Sequence, residues 1–213
     1  MYQPSAHRED RLEVQQAFID AHPLGILVTA GASGLIANAL PFLLDSAKGA
    51  NGTLLGHCAR ANPQWHDHDQ SIEPLVIFQG PQAYVTPSWY PAKSLHGKVV
   101  PTWNYVSVHV YGALTVREDP AWLRWQIGAL TEKMEKGRAV PWSIDDAPHT
   151  FIDALIRDIV GLEIEILRIE GKWKLSQNRS KADQAGVAAG LRAEDKRDHS
   201  LMAVMVAEQI ARE

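Results

Sequence analysis

Two short stretches of this chain combine residue types that could hold a charged ligand. In HCARANPQW, residues 57–65, a strand-like run ends at Arg60 and Asn62, and Asn62-Pro63 has the form of a helix start. A guanidinium beside the unpaired N–H groups of a helix start suits a phosphate dianion. An Asn N-cap next to a surface Arg accounts for the same residues equally well. In WKLSQNR, residues 173–179, strand alternation lines up Lys174, Ser176 and Asn178 on one side and Trp173, Leu175 and Gln177 on the other. The first side suits a polar ring edge or a phosphate; it equally describes an exposed edge strand guarded by a lysine.

A third stretch, VVPTWNYVSVHVYG at 99–112, alternates like a strand, with Val106, Val108 and Val110 on one face. Its first half sets Thr102, Trp103, Asn104 and Tyr105 in a row, a hydroxyl, an indole, an amide and a phenol. A half-buried strand with rings filling a core would explain it, and so would a strand lining a pocket.

Other chemistry has less support. His66 and His68 in HDHD would diverge by about 200° on a helix, so they are read as a solvated surface. Cys58 follows His57, but neighbours on a strand face opposite ways, which denies the thiol its base. No Gly-rich phosphate loop of Walker or dinucleotide type occurs.

The elements that must position these residues follow from the hydrophobic pattern. Residues 8–21 have helical spacing. LGILVTAG and GLIANALPFLLD form a hairpin, and TLLGHCA is a third strand. EPLVIFQGP and QAYVTPSWYPA are expected to pair around Gly80-Pro81, ahead of the long strand that begins near Thr102. Asp119-Pro120 opens a helix, PHTFIDALIRDI is a second, and GLEIEILRIEGKWKLSQN is one strand or a pair turning at Glu170-Gly171. Two helices close the chain. Strands gathered early and helices late exclude a regular βαβ alternation and point to an antiparallel barrel of α+β class. One domain over residues 1–213 is expected, with residues 179–213 as a helical extension.

The 213 residues carry a formal net charge of −4, against a strongly basic nucleic-acid surface, although a local patch can override the sum. The single cysteine excludes an intrachain disulfide and fits a reducing cytoplasm. The first residues lack the pattern of a secretory signal, and no run approaches a membrane span.

HCARANPQW, AYVTPSWYPAK, KVVPTWNYVSVHVYG and KWKLSQNRSKADQAGVAAGL, with LPFLLD at 40–45 upstream, resemble in order the signature blocks of the PaiB family. Its members are FMN-binding negative transcriptional regulators of the flavin split-barrel fold. Ala39 stands where the family pattern has a His. The resemblance implies a six-stranded split barrel that forms a homodimer, with FMN in clefts built by both subunits. It assigns His57, Arg60 and Asn62 to the phosphate end. It assigns Thr102, Trp103, Asn104 and Tyr105 to the long strand facing the cofactor, and brings Lys174 and Asn178 toward flavin and substrate. Catalytic and metal-ligating residues are not assigned. Two outputs are compatible with flavin binding. One is a regulator without turnover, with DNA contacted through a local patch; the other is an FMN-dependent oxidoreductase of the pyridoxamine-phosphate-oxidase type. An oxidoreductase needs Arg and His groups gripping an anionic substrate, and Lys174-Leu175-Ser176 offers less, which favours the regulator.

Overall fold

The alternating apolar residues form seven strands in the computed structural model, which describes residues 1–194 and 196–212. They are β1 (Arg8–Glu9), β2 (Leu24–Gly31), β3 (Gly34–Asp45), β4 (Thr53–Ala59), β5 (Leu75–Val85), β6 (Thr102–Arg117) and β7 (Ile159–Lys174). The helices are α1 (Leu12–Ala21), α2 (Ala92–His96), α3 (Pro120–Glu135), α4 (His149–Arg157), α5 (Lys181–Ala193) and α6 (Arg197–Arg212). The sheet order is β1-β7-β4-β3-β2-β5-β6, and β6 pairs back onto β7, so six strands close a ring and β1 adds to the edge of β7. This is the α+β split barrel, with helices flanking and following it.

Three element boundaries differ from the sequence pattern. Residues 8–9 pair with Gly171 and Lys172 as β1, so the first helix starts only at Leu12. Gly80-Pro81 makes no turn, because β5 runs through it from Leu75 to Val85. Pairing with β2 involves only Leu75–Ile77, so Pro81 lies beyond that ladder. Glu170-Gly171 likewise falls inside β7, a single strand, because β1 supplies Gly171 with a partner.

Contacts divide the chain into two compact units, the first comprising Met1–Arg11, Gln79–Val108 and Glu170–Glu213, the second Leu12–Phe78 and His109–Ile169. In the second, Phe42 and Phe78 meet edge to face with centroids 6.0 Å apart, and Leu123 of α3 packs on Ile152 and Ile156 of α4. Asp119 caps α3 by accepting from the N–H groups of Ala121 and Trp122, with Pro120 at the first helical position. In the first, α5 bears on Trp89: a Cβ at Gly190 would stand 2.4 Å from the indole. Glycine at that position is what lets ring and helix meet.

Candidate functional site

Each candidate residue belongs to one of two sets, one in each unit. In the second unit His57, Arg60 and Asn62 follow one another at the end of β4. His57 is half-buried, with Nδ1 2.9 Å from Oε1 of Gln126, whose Nε2 donates to the Leu55 carbonyl. That arrangement assigns the proton to Nδ1 of His57. Arg60 donates from Nε to the Arg157 carbonyl at 2.9 Å, from Nη1 to Glu118 at 2.6 Å and from Nη2 to the Ile159 carbonyl at 3.1 Å. Three of its five N–H bonds are therefore engaged within the protein. Asn62 caps the 3₁₀ turn Pro63–Trp65, accepting from the Gln64 N–H at 3.0 Å. The cap reading of Asn62 is the geometry found, and the helix behind it is a single turn. Cys58 beside them is buried, and burial pushes its thiol up to about 11, so it is a small apolar filler.

The first unit brings the remaining candidates together with residues that sequence patterning did not single out. Lys174 at the end of β7 donates to Thr102 Oγ1 at 2.5 Å and to the Trp103 carbonyl at 2.6 Å. Its ammonium lies 5.9 Å from the centre of the Tyr105 ring, and that of Lys172 lies 5.3 Å from the same ring. Lys172, only 8% exposed, also donates to the Tyr2 carbonyl. Trp103 is 52% exposed and meets Tyr84 edge to face at 6.0 Å. Burial holds the Lys174 ammonium below the usual lysine range, and the positive charges of Lys172 and Arg179 add to the effect.

Asn104 is on the opposite face of β6 from Trp103 and Tyr105, with no exposed surface. Its Nδ2 donates to Ser176 Oγ at 3.0 Å, and Ser176 has φ of +67°, in the left-handed region. The alternating face of Lys174, Ser176 and Asn178 is therefore not formed: β7 stops at Lys174, Ser176 turns inward and Asn178 is exposed in a turn. His7 is buried with Nδ1 2.9 Å from Gln177 Oε1. Its pKa lies below the ordinary 6.5, first through burial, with Lys174 and Lys172 acting in the same direction. Lys172, Arg179, Tyr84 and His7 are the members of this cluster that the sequence reading missed. Lys172 was legible, since it shares its strand face with Lys174 two residues on.

Solved structures share the fold at low identity. A conserved hypothetical protein of Mycobacterium tuberculosis superposes with a TM-score of 0.56 at 14% identity, over 84% of this chain and 92% of that one. The FAD and heme binding protein of Mycobacterium smegmatis gives 0.56 at 16% identity, over 79% and 73%. These define the class, a split-barrel protein. The family is narrower: residues 1–168 match the family described as "Putative FMN-binding domain", and the chain belongs to it. Over its full length and that of the relative, it is 32% identical to the Bacillus subtilis protein named protease synthase and sporulation protein PAI 2. An uncharacterized protein of Emericella nidulans is 35% identical over 225 residues, covering 89% of this chain and 90% of that one. No helix among the described residues is long and apolar enough to cross a membrane.

Proposed function

We propose that this protein binds FMN through the cation and ring cluster of its first unit and works as a homodimeric regulator of the PAI 2 type. The observation that carries the reading is the Lys172–Lys174 pair against Tyr105, with exposed Trp103 beside it. Two ammonium groups whose acceptors are all neutral suit the phosphate of FMN, and an exposed indole suits a planar ring. The donor set therefore fits the cofactor. Arg60 and Asn62 fit it less well, since three of the five Arg60 N–H bonds are spent within the protein, one of them on Glu118, and the Asn62 oxygen caps the turn. Bound FMN would supply reversible electron-accepting chemistry and a visible absorption band. Lys174 would hold the phosphate, and Trp103 would shield the ring from water.

FMN and riboflavin titrations of Lys174→Ala and Arg60→Ala test this. Lys174→Ala is expected to weaken FMN by about tenfold and riboflavin much less, because a charge-assisted contact to phosphate is lost. Arg60→Ala is expected to weaken both little. The reverse pattern would move the phosphate to the end of β4.

A second copy of the chain is the occupant proposed for the outer face of β2, β3 and β5. There Leu24, Ile26, Leu35, Ala37, Ala39 and Ile77 share one face, and Leu35 is 78% exposed. Ala39, the departure from the family pattern, sits opposite Ile26 on this face. Light scattering at micromolar concentration is expected to give a dimer for the wild type and a monomer for Ile26→Lys. A monomeric wild type would overturn the assembly.

Regulation is supported by the family resemblance and by the name of the B. subtilis relative, which ties that protein to protease synthesis and sporulation. Charge partition leaves room for a DNA-facing patch. The first unit has 12 Lys and Arg against 9 Asp and Glu, the second 9 against 16. DNA contact through the first unit would weaken steeply with salt. The oxidoreductase reading has in its favour that the charge of Lys174 acts on His7 and that of Arg179 on Lys174.

A further inference from the structure

A groove lies along the C-terminal half of α3, closed on its other side by the segment that leads to Ser143 and Ile144. Its volume is about 1050 Å³, at the upper end of the roughly 300–1,000 Å³ usual for small-molecule sites. Every residue that lines it belongs to the second unit, whereas the FMN reading concerns the first. Met134 and Trp142 line it with 45% and 46% of their surface exposed.

The walls are held by the protein's own bonds. The Glu135 carboxylate accepts from the Trp142 N–H at 3.1 Å through Oε2 and pairs with Arg138 Nε at 3.0 Å through Oε1. That one side chain bridges the turn that leaves α3, where Gly137 has φ of +91°. Ser143 and Asp146 close the far end with a reciprocal capping box, and Lys133 pairs with Asp20 to tie α3 to α1.

Gly128 shows what the groove is for. Glycine inside a helix is less favourable than alanine, so its place there needs a reason, commonly a close neighbour. At Gly112 and Gly161 a Cβ would stand 1.9 and 2.3 Å from the nearest atom. At Gly128 it would meet only Ile144 Cγ2, at 3.8 Å, an ordinary contact. Packing has room for a methyl at this point, and the helix would gain from one. What the glycine preserves is the depth of the groove.

The charges select the occupant. Lys133 is spent on Asp20 and Arg138 on Glu135, and among the described residues neither Glu132 nor Lys136 has an ion-pair partner. Glu132 stands four residues after Gly128, on the same row of the helix, whereas Lys136 is the exposed C-cap where the chain leaves it. The end of α3 adds the negative pole of the helix dipole, and the indole of Trp142 offers its face to a cation. The unit around the groove has 9 Lys and Arg against 16 Asp and Glu. We propose that the groove binds an organic cation, an ammonium or guanidinium group on an apolar body. The body lies on Met134, Trp142 and Ile144, and the charge is held by Glu132 and the end of α3. Among the described residues neither histidine nor cysteine lines the groove, so it is a binding site and not a second reaction centre.

The test is a calorimetric titration of the full-length protein with phenethylammonium and, separately, with phenethyl alcohol and phenylpropionate, at constant ionic strength. Melting temperature is the second readout. The proposal does not rest on the flavin reading, and runs with and without added FMN keep the two apart. Phenethylammonium is expected to saturate, the alcohol to bind about fivefold more weakly or worse, and phenylpropionate not to bind. Gly128→Ala is expected to raise the melting temperature by about 1–4 °C, as the better helix former, and to weaken phenethylammonium by about fivefold. Trp142→Ala is expected to weaken it by about tenfold and Glu132→Gln by about threefold. Gly128→Ala, which the fold has room for, decides the matter should Trp142→Ala fail to fold. Equal binding of the alcohol and the ammonium would make the groove a plain apolar contact and end the proposal. So would a titration with phenethylammonium that does not saturate, or binding that Gly128→Ala leaves unchanged.

Discussion

Gly112→Ala is expected to lower the melting temperature sharply. Gly112 is buried in β6, and a Cβ there would stand 1.9 Å from the Glu165 carbonyl oxygen and 2.9 Å from its carbon. Ile164 adds a third contact at 3.1 Å. Side chains can swing away from such a clash, but the Glu165 carbonyl is main chain within β7 and can move only with the strand. The residues around it are tied in: Glu163, Ile164 and Glu165 lie opposite Leu55, Leu54 and Thr53 of β4. Overpacking against a fixed backbone costs about 3 kcal/mol or more, which for a chain of this size is a fall of roughly 6–12 °C. Ala113→Ser, one residue along and exposed, should leave the melting temperature almost unchanged. Equal melting of wild type and Gly112→Ala would mean that β6 and β7 part easily at this point.

This crossing was not legible in the sequence, because nothing in YGALTVR says which strand passes behind the glycine. The order of the strands and helices was legible, since it follows from alternation, helix spacing and the Asp119-Pro120 start, all of them local. The six-strand closure entered through the family resemblance. The apolar run of LIANALPFLL, broken only by Asn38, held a signal beyond a hairpin, because a strand with both faces largely apolar has both faces to cover. In the candidate site, Lys174 and Trp103 could be picked out by residue type and strand face. Arg179 could not: alternation puts it with Trp173, Leu175 and Gln177, away from Lys174. The left-handed turn at Ser176 breaks that alternation, and left-handed backbone at a serine has no sequence signature of the kind glycine gives. Long-range capture by neutral acceptors was equally hidden, as in the hold of Thr102 on Lys174 across 72 positions.

Asn104→Ala is the second large effect, and it separates a core strand from a pocket strand. Asn104 has no exposed surface, and its amide and Ser176 Oγ lie 3.0 Å apart. The serine hydroxyl is 3.2 Å from Asn104 Oδ1, so the pair can be joined in either direction. Removing the amide strands a buried hydroxyl, empties part of the core and frees a residue held at φ of +67°. A stranded buried polar group alone costs about 1–3 kcal/mol, and the lost volume adds to that. A total of about 2–3 kcal/mol corresponds to a fall of roughly 4–12 °C in the flavin-free protein. FMN affinity should change less than about threefold, because an amide without surface has nothing to offer a ligand. Ser176→Gly is the telling companion. It loses the same hydrogen bond but relieves a left-handed cost of about 1–2 kcal/mol, so its melting temperature should fall less than that of Asn104→Ala. The double variant should melt above Asn104→Ala, since the glycine removes the stranded hydroxyl and relieves the left-handed cost. An Asn104→Ala protein that melts like the wild type and binds FMN poorly would reverse the assignment, placing the amide in the ligand site and leaving Ser176 without a reason for its strained turn.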